Sequence, residues 1–381
     1  MEYWVWLQCA LRYGNGRATA ILETFGDAFS VYKSDKETLA NSRLFTKAEL
    51  TRLCDKSLKG AMDIIAECKA EGINILTFAD KRFPNGLRNI MDFPFVLYYK
   101  GVLPNFNSLP TICIVGPREC SEFGIKAAYS LSARLSRGGF TIVSGGAKGV
   151  DAAAHNGALK EGAKTVAILP CGICYDYLKA NEKLRAQIAE NGCLISEFPP
   201  NYPLKMGAFQ IRNRLMSGIT LGTVIIEADE RSGALITARC AVEQGRDVFV
   251  IPGNPTLPQY KGSNLLLRDG AKHLLTAMDI FEEYLLEYSD KLDIEKAFAP
   301  TANQNLENNN DNKTETTEKT SISGVSDGAK AIYNSEPDEP FCVDELTVFN
   351  NYNASELMTA LADLELFGYI KAVPGGRYVK I

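Results

Sequence analysis

The sequence predicts an α/β fold built on a doubly wound, mainly parallel sheet, and three observations predict it. Short β-branched runs recur between residues 111 and 252, spaced so that a helix fits between successive runs. The runs are continuously apolar rather than alternating, as strands covered on both faces by crossover helices are. Glycine-rich turns stand between a run and the amphipathic stretch after it, where such a sheet passes its chain to helix N-termini.

In chain order, residues 1–72 show apolar positions at helical spacing and no strand, which predicts a small N-terminal helical domain. Residues 73–298 hold the sheet. Its strands are TICIV (111–115), FTIVS (140–144), KTVAIL (164–169), CLIS (193–196), GTVIIEA (222–228) and DVFVIP (247–252). Residues 121–137, 151–161, 181–190, 209–217 and 233–244 supply the intervening helices. Residues 299–327 are rich in Asn, Thr and Glu with almost no large apolar side chain, and read as a disordered acidic linker, because they cannot bury enough surface to offset chain entropy. Residues 328–381 read as three helices and a hairpin turning at Pro374-Gly375-Gly376. That is the winged-helix pattern, with a generic small helical domain as the alternative.

The 381 residues are 46% hydrophobic, which excludes a fibrous or wholly disordered chain and allows two or three domains. A net charge of -5 argues on average against a polyanionic partner, but the charge is unevenly spread. Residues 1–280 carry 33 Lys and Arg against 27 Asp and Glu, residues 281–318 carry 3 against 10, and residues 328–381 carry 4 against 8. The basic excess is all in front. No basic segment leads into an apolar stretch, and no window approaches the roughly 18 apolar residues of a membrane span, so a cytoplasmic protein with no membrane partner is expected. The ten cysteines are scattered, as reduced core thiols are. Cys171 and Cys174 form one CxxC, but the second ligand pair of a zinc site is missing, since the two histidines, His155 and His273, are far apart; no metal is expected.

Ligands of doubly wound sheets bind beyond the carboxyl ends of the strands. The first such loop runs from Gly116 through Pro117 and Arg118 to Gly124. Gly116 permits a tight turn off the strand, and Arg118 stands near a helix N-terminus, where phosphate is favoured. The pattern is not GxGxxG, so no dinucleotide cofactor is expected. The second loop, Ser144-Gly145-Gly146-Ala147-Lys148-Gly149-Val150-Asp151, offers backbone amides and a lysine to an anion; alternatively its glycines only permit a tight turn. Asp151 reads as the N-cap of the following helix. It is not a Walker loop.

The stretch from Asn201 to Gly218 holds Lys205, Arg212 and Arg214 and no acid. Arg212 and Arg214 diverge by about 200° on a helix, so they cannot face one point; one grips a phosphate while the other pairs with a carboxylate. Phe209, between Lys205 and Arg212, is either a core residue or a stacking platform for the bases of a single strand. No nucleophile elbow accompanies His155. Glu227, Asp229 and Glu230 read as helix caps or as partners of Arg231 and Arg212.

Taken together, these residues resemble the bacterial DNA-processing protein A (DprA/Smf) family. The resemblance rests on Gly116-Pro117-Arg118, the Ser144–Asp151 loop, Lys205, Phe209 and Arg212-Asn213-Arg214, and Ser232-Gly233 leading to Pro252-Gly253. Pro170-Cys171-Gly172 and Gly262-Ser263-Asn264 with Gly270-Ala271 add to it. It covers residues 75–275 closely. It implies a Rossmann-like core, an N-terminal unit like a sterile-alpha-motif or helix-hairpin-helix domain, and a C-terminal winged helix. It also implies a non-enzymatic function: binding single-stranded DNA, loading the RecA recombinase during natural transformation, and dimerising through the core. In that reading Arg118, the amides of Ser144, Gly145 and Gly146, Lys205 and Arg214 meet phosphates, Phe209 lies against a base, and Gly116, Lys148, Arg212 and Asn213 complete the DNA-binding set.

Two positions depart from the family pattern. Pro117 removes a hydroxyl and an N–H from the first loop, and Lys148 keeps charge where arginine is frequent but gives up the bidentate fork. Two alternatives stand beside the DNA reading. One is a phosphoribohydrolase-like enzyme on the same core, which would need PGGxGTxxE, whereas Gly222-Thr223 precedes Glu227 by one residue too many and no Pro-Gly-Gly is present. The other is an interaction scaffold with no DNA affinity.

Overall fold

The computed structural model describes residues 1–177 and 179–299, and then 329–330, 333, 341–342, 359–361, 363–365, 369–373 and 377–380. The chain divides into two compact units, Met1–Pro300 and Thr301–Ile381.

The first unit begins with six helices, α1 (Glu2–Leu11), α2 (Ala18–Phe25), α3 (Ala28–Lys33), α4 (Lys36–Asn41), α5 (Lys47–Cys54) and α6 (Lys59–Ala70). Side chains stop the fraying of three of them. Asp27 and Asp35 accept from backbone N–H groups at the starts of α3 and α4, and Thr46 with Glu49 forms a reciprocal capping box on α5.

Next come β1 (Asn74–Thr77), α7 (Asn85–Arg88), β2 (Val96–Gly101), β3 (Thr111–Val115), α8 (Glu122–Arg137), β4 (Thr141–Ser144), α9 (Val150–Lys160) and β5 (Thr165–Leu169). They are followed by α10 (Glu182–Asn191), β6 (Cys193–Ser196), α11 (Ala208–Gly218), β7 (Gly222–Ile225), α12 (Gly233–Glu243), β8 (Asp247–Val250), α13 (Lys261–Arg268) and β9 (Lys272–His273). The unit ends with α14 (Met278–Tyr284) and α15 (Ile294–Phe298).

The nine strands form one sheet in the order β1-β2-β6-β5-β4-β3-β7-β8-β9. The six strands expected from sequence are all present, and their mutual pairings are parallel. The sheet extends beyond them at both edges. β1 and β2 add an antiparallel edge, and two-residue β9 closes the other. β1 (NILT) has polar residues at both ends and β9 has only two residues, so neither shows the continuous apolar run that marks the inner strands. Two strands end earlier than expected, and two others, β4 and β5, begin one residue later. The runs at 222–228 and 247–252 leave the ladder after Ile225 and Val250, and residues 226–228 turn into the loop at the strand ends.

Within the sheet, alternate residues serve opposite faces. Ile112, Ile114, Ile142, Val224 and Ile226 pack with α8, α9 and the α14–α15 segment. Cys113, Val115, Val143, Val166, Ile168 and Ile225 face the other way, towards α11 and α12, in a core that continues into the N-terminal helices through Val5, Leu7 and Leu11. Both faces are therefore dry, which accounts for the unbroken apolar runs. Successive strands step outward from β3 to β6, then return to β7 beside β3. The order reverses between β3 and β7, and a doubly wound sheet opens its ligand crevice at such a reversal.

The second unit contains the antiparallel strands β10 (Phe341–Cys342), β11 (Ile370–Val373) and β12 (Arg377–Lys380), ordered β10-β12-β11. Ala329, Ala360, Leu361, Leu364 and Ile370 form its core. The expected hairpin strands are thus in place; the Pro374–Gly376 turn, most of the three expected helices and nearly all of the 299–327 linker lie outside the described residues. Among the described residues no helix is long and apolar enough to cross a membrane.

Candidate nucleic-acid interface

Two loops meet at the carboxyl ends of β3 and β4. The Val150 N–H donates to the Pro117 carbonyl at 3.3 Å. Gly149 lies at φ 75°, and a Cβ there would come within 2.4 Å of the Pro117 carbonyl oxygen and 2.5 Å of that of Arg118. The close approach of the loops therefore requires glycine at 149. Gly149, not Asp151, is the residue preceding α9. Asp151 sits inside the first turn and reaches back to accept from the Ala147 N–H at 3.3 Å, holding the Gly-rich loop shut from below.

Onto this backbone the fold brings a cationic and aromatic cluster. Arg118 is exposed, donates to the Tyr177 hydroxyl at 3.2 Å, and lays its guanidinium 4.9 Å from the centre of the Phe209 ring. The Tyr177 ring lies 6.2 Å from Phe209, and the Arg212 guanidinium 5.9 Å from it on the α11 side. Phe209 is half-buried, with cations and an aromatic ring around it, and so is no ordinary core residue. Lys148 is exposed on the second loop. Lys205, also exposed, sits 4.7 Å over the Tyr202 ring, which stacks on Phe198.

Arg212 forms the floor. It is buried, donates to the Ile168 carbonyl at 3.1 Å, and passes so close to Gly145 that any Cβ there would collide with its guanidinium. Burial lowers its pKa and raises that of Asp151; each is opposed by the charge of the other. Burial likewise raises the Tyr177 hydroxyl, so Tyr177 stays a neutral hydrogen-bonding partner for Arg118.

Five sequence-predicted residues are buried away from the open cleft: Ser144, Gly145 and Gly146, with amides expected to meet phosphates, and Asn213 and Arg214. Arg214, expected to meet a phosphate, is 5% exposed; its Nε lies 3.1 Å from the Asp92 carboxylate, and its Nη2 pairs with Glu197. The opposite arms of Arg212 and Arg214 therefore divide as their helical spacing requires, with Arg214 taking the carboxylates. Asn213 is buried and donates to the Gly233 carbonyl at 3.4 Å, tying α11 to α12. Ser144 is fully buried and its hydroxyl donates to the Ile114 carbonyl at 2.7 Å. Gly116 and Gly146 shape their loops, the latter accepting from Asn181 at 3.1 Å. Glu227 neither caps α12, which Ser232 does, nor pairs with Arg231 or Arg212; it accepts from Ser121 and Tyr260.

Tyr177 belongs to none of the motifs that mark the other site residues. It stands in the loop after β5, a third strand carboxyl end, so the rule that picked the first two loops also points to it. Asp92 and Glu197 gave no such signal, because a carboxylate's partner across the fold leaves no trace in spacing. The cleft can hold anions on Arg118, Lys148 and Lys205 while offering a planar group the Phe209 ring and the Arg118 guanidinium plane. Among the described residues no cluster of His, Cys, Asp and Glu could hold a metal ion.

The family described as DNA recombination-mediator protein A matches residues 74–285. The DNA processing protein DprA of Bacillus subtilis is 36% identical over 220 residues, 58% of this chain and 74% of its own length. That of Streptococcus pneumoniae is 33% identical over 67% of this chain and 98% of its own. Protein Smf of Escherichia coli is 33% identical over 80% of this chain and 76% of its own. The X-ray structure of the Streptococcus pneumoniae protein superposes with a TM-score of 0.66 at 29% identity, covering 74% of this chain and 98% of that one. DNA processing protein A from Helicobacter pylori, whose structure describes a single-stranded DNA binding mode, gives 0.52 at 29% identity, over 57% and 97%.

Proposed function

The chain belongs to the DNA recombination-mediator protein A family, and from that premise we propose that it is a single-stranded DNA-binding recombination mediator. In this reading it protects incoming single strands and loads RecA onto them during natural transformation. It acts in the cytoplasm, as a homodimer through the Rossmann-like core, and catalyses no reaction itself. The RecA, dimer and transformation parts rest on family membership alone. The DNA-binding part also rests on geometry.

The observation that carries it is the Arg118 guanidinium 4.9 Å over half-buried Phe209, beside the Gly-rich loop at the strand-order reversal. A single strand needs cations tracking its phosphates and an aromatic face that accepts any base. Arg118, Lys148 and Lys205 supply the first, and Phe209 the second. A duplex keeps its bases stacked inward and cannot use Phe209. We assign no hydrolase chemistry to Glu227, whose carboxylate is fully buried and already accepts from Ser121 and Tyr260.

Fluorescence anisotropy with labelled oligo-dT and with a duplex of equal length tests this. The single strand binds more tightly, and Phe209→Ala weakens it by about 1–3 kcal/mol, the usual worth of one base–aromatic stack, while leaving the duplex affinity unchanged. Equal loss for both substrates, or none for either, would show that Phe209 is not a base platform.

A further inference from the structure

We infer that Glu227 is a positioning residue for DNA binding, fixing the loop that carries Arg118 by way of Ser121 and joining it to the segment after β8 by way of Tyr260. The inference rests on the cleft proposed above. The β7 end lies against the β3 end at the strand-order reversal, where the Ile226 N–H donates to the Val115 carbonyl at 3.1 Å. One residue on, Glu227 is fully buried. Its carboxylate accepts from the Ser121 N–H at 3.1 Å, from the Ser121 hydroxyl, and from the Tyr260 hydroxyl at 3.0 Å. Among the described residues it forms no ion pair. A buried carboxylate without a cation is costly, and an apolar side chain would fill the same space more cheaply. What the carboxylate adds is direction, since its hydrogen bonds come from two different loops.

The Arg118 loop is the more lightly held of the two, since Asn264 already exchanges two hydrogen bonds with Gly253 in the Tyr260 segment. Between Gly116 and Ser121 the chain is fixed by the Val150–Pro117 hydrogen bond, by the Arg118 contacts with Tyr177 and Phe209, and at its far end by Glu227. Ser121 follows Arg118 by three residues and caps α8 by accepting from the Gly124 N–H at 3.0 Å. Gly124 must lack a side chain, because a Cβ there would meet the Glu227 carboxylate at 2.8–2.9 Å. On the other side, the Tyr260 ring fills the space above Gly253, and the N–H groups of Gly262 and Ser263 donate to the Ala228 carbonyl at 2.9 and 3.1 Å. Glu227 and Ala228 together thus brace the Arg118 loop against the start of α13.

The test is a double-mutant cycle on oligo-dT affinity, using the full chain with unfolding midpoints measured in parallel. Arg118→Ala costs about tenfold in affinity, as the loss of one charged contact does. Glu227→Gln, which keeps the volume but loses an acceptor, weakens binding by about fivefold in the native background and by less than about twofold in the Arg118→Ala background. Tyr260→Phe follows the same pattern with a smaller loss, and carries the test if Glu227→Gln does not fold. Equal losses in the two backgrounds, or no loss in the native one, overturn the inference while leaving the cleft intact. An unchanged affinity for Arg118→Ala instead overturns the cleft assignment, and this inference with it.

Discussion

Arg212 and Arg214 stand two residues apart on one helix and face opposite fates. Arg212 lines the cleft floor beneath Gly145, and Arg214 is consumed by Asp92 and Glu197 behind it. His155 is a buried group of a third kind. Thr165 spends its hydroxyl proton on the Ile142 carbonyl, so the His155 Nδ1–H is the donor in the 2.8 Å contact with the Thr165 oxygen, and Nε2 is left a bare acceptor. Burial, with the Arg212 charge adding to it, lowers its pKa to about 3. The unfolded chain binds this proton near pH 6.5 and the folded chain does not, so the stabilisation is full above 6.5 and is lost as pH falls below it. Between pH 7.5 and pH 5, urea unfolding of the native protein should lose about 2 kcal/mol more than that of His155→Asn, which keeps a donor for Thr165 but cannot protonate. Identical pH dependence in the two proteins would refute the assignment. At this scale the sequence was legible where chemistry is carried by a motif, as for Arg118, Lys205 and Phe209. It was silent on Asp92 and Glu197, whose roles arise only when distant segments meet.

Among the elements, the Gly-rich loop ahead of α9 is tightly constrained at Gly149. Gly149→Ala places a methyl group against two carbonyl oxygens at positive φ. It should destabilise the protein by about 1–3 kcal/mol, through a shift of the midpoint of chemical unfolding, and displace the Arg118 loop. Gly60→Ala near the start of α6 meets open space and should instead leave stability unchanged or raise it by up to about 1 kcal/mol. If the two substitutions behave alike, the close approach of the loops is not what fixes Gly149. The parallel strands were readable because burial on both faces makes them apolar throughout. β1, β2 and β9 fall outside the 111–252 series of alternating runs and helices, and as edge or near-edge strands their pairing is decided by the rest of the sheet.

For the whole molecule, the average charge of -5 conceals a basic body in residues 1–280 followed by acidic residues, and the cleft lies in the basic part. The sequence located that asymmetry but not the depth of the site, because burial of Arg212, Asn213 and Arg214 depends on how α11 is covered by the sheet and the N-terminal helices. In the proposed function a chain of net negative charge binds a single-stranded polyanion through three exposed cations set beside an aromatic ring. The most direct measurement is the oligo-dT affinity of the full chain as salt is raised. With contacts from Arg118, Lys148 and Lys205, log affinity should fall against log salt with a slope of about -2, and Arg118→Ala should make that slope shallower by about 0.7. No binding at low salt, or a slope that Arg118→Ala leaves unchanged, would show that these cations do not hold a single strand.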